Sequence, residues 1–215
     1  MLNKISIPKS IIPLIALAFA LNILRVIIFD KFSFVYILWN ILLAFIPFLI
    51  SSILLFYSEK NKLNQTLFVI GGIVWLIFLP NAPYIVTDLI HIGVVKGVPV
   101  LYDSVLLFTS AWAGLLLGMN SIYHIEKILL SKYSKKITNF IILVVILFAS
   151  FGIYLGRFLR FNSWDFFTNH SSLLSSVWKI FTQSNNYINV YIYTILFFFF
   201  IYMSFISFKY SNIKQ

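Results

Sequence analysis

The stretch INVYIYTILFFFFIYMSFISF occupies residues 188–208 and contains no charged side chain. A helix needs about 20 predominantly apolar residues to cross a hydrocarbon core of about 30 Å, so this stretch predicts a transmembrane helix. Similar apolar runs occupy residues 11–29, 34–57, 104–123 and 137–156. A further run begins near residue 66 and meets Pro80. The sequence therefore predicts about six transmembrane helices.

The composition supports a chain whose solvent is lipid. Apolar residues make up 61% of the 215 residues and charged residues only 10%, whereas a soluble domain carries about 25% charged residues. The sequence has no Cys, which excludes disulfides, thiolate metal sites and Cys nucleophiles. We expect an all-α fold, a polytopic integral membrane helix bundle that forms a single transmembrane domain over residues 1–215.

The basic residues predict the orientation in the membrane. The side that holds the N-terminus carries ten of them: Lys4, Lys9, Lys60, Lys62, Lys127, Lys132, Lys135, Lys136, Lys209 and Lys214. The opposite side carries six: Arg25, Lys31, Lys96, Arg157, Arg160 and Lys179. Because cytoplasmic loops carry the excess of Lys and Arg, we expect a multi-pass protein of the cell membrane with both termini in the cytoplasm. Scattered basic loops of this kind indicate orientation and contact with the lipid bilayer, not nucleic-acid binding.

The first apolar run allows two interpretations. Lys4 and Lys9 form a basic start, and Ala18-Phe19-Ala20 fits the cleavage pattern of a signal peptide. The apolar residues nevertheless continue to Phe29, which is about the length of a full span. The length favours an uncleaved first helix.

Both long links, residues 80–103 and 157–187, fall on the predicted outer side. In the first link, FLPNAPYIVTDLIH at residues 78–91 contains Pro80 and Pro83, which remove two backbone donors. We expect the third span to break near membrane depth and an outer half-helix to begin at Asn81, whose side chain can cap it. An α-helical repeat places four polar residues on one face: Tyr84, Thr87, Asp88 and His91.

Ionisable residues at membrane depth are functional candidates by default. We therefore take Asp88 and His91 as candidate catalytic residues for proton transfer, with Asn81 and Tyr84 as candidate ligand-binding residues. A single metal ion on Asp88 and His91, with Asp103 as a third ligand, is a weaker hypothesis, and we assign no metal site. The competing interpretation is a half-helix whose polar face simply meets water.

Two further charged residues lie near the predicted outer ends of helices. Asp103 begins the fourth span, where a carboxylate caps a helix and interacts favourably with its dipole. Asp103 could also face a ligand while capping the helix. Arg25 lies one turn inside the outer end of the first span, and it could either snorkel to the interface or partner an outer Asp.

The second link begins with GIYLGRFLRFNSWDFF at residues 152–167. Arg157 and Arg160 are three residues apart, so a continuing helix would place two guanidinium groups on one face, where they could hold a phosphate or carboxylate. Three polar or aromatic residues follow as further ligand-binding candidates: Asn162, Trp164 and Asp165. The alternative is an Arg pair that snorkels to lipid phosphates, with Trp164 as an interfacial residue.

The rest of the second link has the pattern of an interfacial helix. Apolar residues recur at helical spacing: Leu173, Leu174, Val177, Trp178 and Phe181. We therefore expect an outer interfacial amphipathic helix in addition to the spans and the outer half-helix.

Pairs of small residues mark faces that can pack closely against another helix. Gly114 and Gly118 form one such pair, and Gly152 and Gly156 form a second. Ala16 and Ala20 form a third in the first span. Such small-xxx-small faces allow close helix packing within the chain or with a membrane protein partner.

Several strings resemble one known family. WLIFLPNAPYIVTDLIH, VLYDSVLLFTSAWAGLLLG and GIYLGRFLRFNSWD are similar to an uncharacterised bacterial family of multi-pass membrane proteins, domain of unknown function 1361. WNILLAFIPF at residues 39–48 is similar to the second-helix segment of that family. The resemblance runs from about residue 39 into the sixth helix. It implies a polytopic membrane protein and implies no activity.

The function remains open at the level of sequence. HExxH, GxSxG, a Walker loop and a dinucleotide fingerprint are missing, so the sequence identifies no cofactor and leaves open whether the chain is an enzyme. The leading hypothesis is an outward-facing site that binds, or also transforms, an anionic lipid-linked or small polar ligand. The alternatives are a non-catalytic membrane scaffold or assembly factor, and a membrane substrate-binding subunit of a transporter.

Overall fold

The computed structural model describes residue 9, residues 11–182 and residues 188–213. All regular structure within these residues is helical, which confirms the all-α prediction. The helices are α1 (Ile12–Phe29), α2 (Tyr36–Glu59), α3 (Gln65–Phe78), α4 (Asn81–Tyr84), a 3₁₀ helix (Ile85–His91), α5 (Val100–Leu130), α6 (Lys135–Phe158), α7 (Asp165–Thr168), α8 (His170–Thr182) and α9 (Ile188–Ile213).

The described residues contain six helical segments that are long and apolar enough to cross a membrane. They are α1, α2, the segment Gln65–His91, α5, α6 and most of α9. The six predicted spans are therefore confirmed, and the chain is a multi-pass integral membrane protein. The third span includes the Pro80 break and runs on through the 3₁₀ helix.

The helix α5 is longer at both ends than the apolar run at residues 104–123. It has 31 residues and continues through the polar stretch that follows Met119. The polar side chains there find partners inside the protein: the Asn120 amide donates to the Leu116 carbonyl, and the Ser121 hydroxyl donates to the Pro47 carbonyl. A prediction from hydropathy alone therefore ends this span too early, because it takes no account of these hydrogen bonds.

The chain divides into two compact units, Met1–Ile128 and Leu129–Gln215. In the first unit, an apolar core joins α1, α2, α4, the 3₁₀ helix and α5, with Ala18, Ile37, Ala82, Ile85 and Leu107 among its fully buried members. In the second unit, Tyr154, Ile180 and Val190 form a smaller core between α6, α8 and α9. A single domain over residues 1–215 stays a prediction.

The Pro80 break leads into an unusual backbone. Helix α3 ends at Phe78, one α-helical turn follows at Asn81–Tyr84, and Ile85–His91 is 3₁₀-helical. Runs of 3₁₀ helix longer than about four residues are uncommon. Because side chains at i and i+3 eclipse in this geometry, Ile85, Asp88 and His91 form one column. The predicted polar face is therefore wrong in its details: Tyr84 and Thr87 lie in the neighbouring column.

The predicted Asn81 cap is also wrong. The residue in the N-cap position of α4 is Pro80, and no side chain caps that turn. The Asn81 amide instead donates to the Phe78 carbonyl at 3.0 Å, which satisfies an acceptor at the end of α3. An amide can donate as well as accept, and here the break leaves a carbonyl that needs a donor.

The small-residue face of α5 packs against the break. A Cβ atom at Gly114 would lie 2.8 Å from the Ala82 carbonyl oxygen and 2.7 Å from Ile85 Cδ1. A Cβ atom at Gly118 would lie 3.1 Å from the Ala82 Cβ. This pair therefore serves a contact within the chain and seats the segment that carries Asp88.

Helix α6 does not continue through both arginines of the second link. Its last residue is Phe158, and Arg160 adopts a left-handed conformation with φ of 59°. The chain reverses there, and the Phe161 amide donates to the Leu155 carbonyl at 3.1 Å. The prediction that Arg157 and Arg160 share a helical face is therefore wrong, because Arg160 lies beyond the helix.

The predicted amphipathic helix is present as α8. Its apolar side chains divide into two sets. Ile180 is buried with Tyr154 and Val190, whereas Leu174, Trp178 and Phe181 are exposed. Exposed Leu, Trp and Phe side chains on an amphipathic helix are typical of membrane interfaces. The interfacial position of α8 itself stays a prediction.

Candidate functional site

Asp103 forms a buried ion pair with Arg25. The Arg25 Nε donates to Asp103 Oδ1 at 2.8 Å and Nη2 donates to Oδ2 at 3.3 Å, with both side chains 1% exposed. The third nitrogen, Nη1, donates to the Lys31 carbonyl at 2.9 Å, and the Phe34 ring lies 4.3 Å from the guanidinium carbon. This two-bonded geometry is the strong form of such pairs, and it joins α1 to α5.

The ion pair bears on the alternatives that the sequence left open for Arg25 and for Asp103. Arg25 partners an Asp and does not snorkel. Asp103 is not the N-cap of α5, because that helix begins at Val100. Both carboxylate oxygens of Asp103 accept hydrogen bonds from Arg25, and its role as a ligand-binding residue stays a prediction. The adjacent Tyr102 hydroxyl donates to the Leu21 carbonyl at 2.7 Å and ties α1 and α5 together a second time.

Asp88 is the buried carboxylate of the 3₁₀ helix. It is 1% exposed, and the amide Nδ2 of Asn40 on α2 donates to its Oδ2 at 3.0 Å. His91 lies one 3₁₀ turn further along the same column, a rise of about 6 Å. It is half-buried, and its ring meets the exposed Tyr36 edge to face at 6.5 Å between centroids. The column therefore has the half-buried His91 imidazole at its end and the buried Asp88 carboxylate one turn before it.

The other candidates on this segment have local roles. Asn81 is half-buried and binds the Phe78 carbonyl. Tyr84 is half-buried, and its carbonyl accepts from the Thr87 hydroxyl at 2.7 Å. Both residues flank the Asp88 column and shape the turn that presents it.

The candidates of the second link lie in the other unit. Arg157 is half-buried in the last turn of α6, and Arg160 is exposed. The Asn162 amide N–H donates to Asp165 Oδ2 at 2.6 Å, and the Asn162 side chain approaches the same oxygen at 3.5 Å. Asp165 thus closes the turn that starts α7, with Trp164 exposed beside it. Their convergence with Asp88 stays a prediction.

Metal ligation by the sequence candidates meets a geometric obstacle. Asp103, the hypothetical third ligand, already places both oxygens on Arg25. Within residues 11–182 and 188–213, the structure contains no group of three or more His, Asp and Glu side chains that could hold a metal ion. Asp88 and His91 alone would provide two ligands at most.

Sequence reasoning missed Asn40 and a second polar cluster at the far end of α5. In that cluster the His124 ring contacts the hydroxyls of Ser51 and Ser52 on α2. One turn earlier, the Trp75 indole N–H donates to the Ser121 hydroxyl at 2.6 Å. The available signal was the presence of polar residues inside apolar runs, which a hydropathy window averages away.

The Asp88 column combines features suited to proton exchange or polar recognition. A carboxylate and an imidazole stand one turn apart, at different exposures, on a backbone segment held by α2 and α5. Broken backbone at membrane depth persists where protein buries it or where it lines a polar cavity. The column therefore places a carboxylate and an imidazole near one end of a membrane span, and their use in proton transfer stays a prediction.

The comparisons with known proteins agree with this membrane architecture and leave the chemistry open. No curated protein and no solved structure matches the chain significantly. One family sequence model matches residues 39–213, which include α3, the Asp88 column, α5 and α6. Since this match spans most of the sequence, the chain belongs to the family described as Protein of unknown function (DUF1361).

Proposed function

We propose that this membrane protein binds a small polar or anionic lipid-linked ligand at an outward-facing site, where Asp88 and His91 transfer protons. The observation that carries the proposal is the burial of the Asp88 carboxylate in the 3₁₀ segment of a membrane span. Burying a carboxylate costs several kcal/mol even in favourable surroundings. If this position served packing alone, an apolar side chain would fill it at a lower free-energy cost. The carboxylate therefore supports a functional role for Asp88.

The surroundings of Asp88 support the proposal in two ways. Asn40 orients one carboxylate oxygen from α2, and the Gly114–Gly118 face of α5 holds the segment that carries it. The carboxylate is therefore positioned by hydrogen bonding and packing, as in a preorganised site.

The anion-binding part of the proposal rests on Arg157 and Arg160. They lie on either side of the α6 terminus, one within the last turn and one beyond it. This arrangement offers two guanidinium groups from a helix end, and such groups suit phosphate and carboxylate oxygens. Asn162, Trp164 and Asp165 would line the same outer link. The excess of basic residues on the opposite side supports a cell-membrane orientation with both termini in the cytoplasm.

The test compares metabolite and lipid profiles of a deletion strain complemented with variants. Asp88→Asn removes the charge but keeps the size and an oxygen that can accept from Asn40. We expect it to accumulate normally in the membrane and fail to restore the wild-type profile. Asp30→Asn is the matched control, since Asp30 is exposed at the left-handed end of α1, where Asn is well tolerated.

Full restoration of the profile by Asp88→Asn would refute the proposal, because the carboxylate would then be dispensable. Function as a scaffold or assembly factor would be the better interpretation in that case. Arg157→Lys and Arg160→Lys test the anion-binding part separately, since Lys keeps the charge but cannot make two parallel hydrogen bonds.

A further inference from the structure

The loop that joins the 3₁₀ helix to α5 is both apolar and exposed. Residues 92–99 read IGVVKGVP, and Lys96 is the only polar side chain among them. Loops that face water usually combine Gly and Pro with Asn, Asp or Ser. Here Val94 is 65% exposed, and Ile90, just before the loop, is 67% exposed. Exposed apolar side chains of this size suit a membrane interface better than bulk water.

The neighbours of this loop indicate the level of the lipid headgroups. The loop folds back on the Asp88 column, because the Val94 amide donates to the His91 carbonyl at 3.2 Å. The His91 ring contacts Tyr36 in the first turn of α2, and both Tyr36 and the nearby Trp39 are exposed. Exposed Tyr and Trp are enriched where membrane spans meet the headgroups. The His91 end of the column and the loop therefore share this level.

A second lysine side chain lies against the loop. Lys31 Cε lies 3.9 Å from the position that a Cβ atom would take at Gly97, the residue after Lys96. Since the Cα atoms of adjacent residues are about 3.8 Å apart, the Lys31 side chain ends beside the Lys96 backbone. The Lys31 backbone is itself held, because its carbonyl accepts from the buried Arg25 at 2.9 Å. Two ammonium groups are thus brought to one short surface.

The charges near this surface leave it positive. Asp30 precedes Lys31 and is exposed, while Asp103 is paired with Arg25. Within the part of the chain that the structure describes, the side chains of Asp30, Lys31 and Lys96 form no hydrogen bond or ion pair. One exposed carboxylate therefore stands against two exposed ammonium groups. An anionic phosphate between the two lysines would accept charge-assisted hydrogen bonds from both.

We propose that the ligand of the Asp88 column is a phosphate-bearing lipid, whose phosphate binds between Lys31 and Lys96 and whose hydrocarbon chain stays in the bilayer beside Ile90 and Val94. The inference rests on the proposed function, because it chooses between the two ligand classes named there. A small soluble anion needs the two lysines but gains nothing from the exposed apolar side chains around them. A lipid uses both, since its chain adds apolar contact to the electrostatic attraction.

Photocrosslinking in lipid nanodiscs tests where the phosphate binds. The probes are a phosphatidic acid and a phosphatidylcholine that carry the same diazirine close to the headgroup, and mass spectrometry maps the adducts. We expect phosphatidic acid to label residues 90–101 more strongly than phosphatidylcholine does. Nanodiscs present both leaflets, so the result does not depend on the orientation in the cell. Equal labelling of this segment by the two probes would overturn the proposal.

A double variant tests the two lysines. Lys31→Gln with Lys96→Gln keeps both side chains polar, and we expect labelling of residues 90–101 by phosphatidic acid to fall about fivefold for each lysine removed. Lys62→Gln with Lys136→Gln is the matched control, because it removes the same charge from two other exposed lysines. Wild-type labelling of the first variant would overturn the proposal. An equal loss in the control would also overturn it, because net charge alone would then explain the labelling.

Competition distinguishes a lipid from a soluble phosphate. We expect unlabelled phosphatidic acid to protect residues 90–101 from the phosphatidic acid probe, and we expect glycerol phosphate to give no protection. Equal protection by glycerol phosphate would overturn the lipid assignment and identify a water-soluble phosphate as the ligand.

Complementation of the deletion strain separates this inference from the proposed function. Asp88→Asn keeps both lysines, so we expect it to retain the phosphatidic acid labelling while it fails to restore the wild-type profile. The Lys31→Gln, Lys96→Gln double variant should lose the labelling and also fail to restore the profile. Full restoration by this double variant, despite loss of the labelling, would overturn the lipid as ligand and leave the role of Asp88 intact.

Discussion

At the residue scale, Arg25 and Asp103 depend on each other. Each is buried, and each would remain as an unpaired charge if its partner were removed. We expect Arg25→Met or Asp103→Leu alone to lower the free energy of unfolding by about 3–5 kcal/mol. The double variant should recover much of this loss, because it removes both charges together. Denaturant unfolding in detergent measures the effect.

Lys31→Met is the control for that experiment. Arg25 binds the backbone carbonyl of Lys31, so the Lys31 side chain, which is exposed, can be replaced without loss of this bond. Single variants as stable as the wild type would contradict the structural role of the pair. In that case the prediction that Asp103 binds a ligand would gain support.

The sequence identified the ionisable residues but not all of their partners. Asp88, His91, Asp103 and Arg25 stand out because a charge in a membrane span is expensive. The Arg25–Asp103 pair was one of two open alternatives. Asn40 gave no such signal, because a neutral amide in a helix has many acceptable environments. Its partner Asp88 is 48 positions away, and only the packing of α2 against the 3₁₀ helix joins them.

At the element scale, the contact between α5 and the broken third span tolerates no added atoms at Gly114. Gly114→Ala would place a methyl group 2.8 Å from the Ala82 carbonyl oxygen, a backbone atom that cannot move independently. We expect a loss of about 1–3 kcal/mol in stability from overpacking. The Asp88 segment should also shift, which hydrogen exchange of Ile85–His91 can detect.

Gly72→Ala is the matched control on α3. A Cβ atom there meets nothing within 4 Å, so the higher helix propensity of Ala should leave stability unchanged or slightly raised. If Gly114→Ala were as stable as Gly72→Ala, the close packing of α5 on the break would be wrong.

The elements show where sequence patterns stop being informative. Runs of apolar residues predict the spans well, because burial in lipid dominates their energetics. The 3₁₀ conformation of Ile85–His91 was not predicted, because 3₁₀ and α-helical turns accept the same residues and the packing on α5 selects between them. The shared helical face predicted for Arg157 and Arg160 is wrong for a similar reason: Arg160 adopts a left-handed conformation that the sequence does not favour.

At the scale of the whole molecule, the sequence predicts the number of spans and their order but not the residues that meet across them. Composition and hydropathy are one-dimensional properties, and six spans follow from them directly. The His124 cluster depends on three helices meeting at one level, so no local pattern contains it. A family of unknown function adds no chemistry to these observations.

The orientation of the whole molecule rests on ten basic residues on one side and six on the other. Because the chain has no Cys, single cysteines can report sidedness without a background signal. Four exposed lysines suit this purpose: Lys62, Lys96, Lys136 and Lys179. In intact cells we expect an impermeant maleimide to label Lys96→Cys and Lys179→Cys and to spare Lys62→Cys and Lys136→Cys. A permeant maleimide should label all four.

Labelling of Lys62→Cys and Lys136→Cys alone by the impermeant reagent would show the inverted orientation, with the Asp88 column on the cytoplasmic side. Equal labelling of Lys62→Cys and Lys96→Cys would contradict a third span that continues through the Pro80 break, because those two residues flank it.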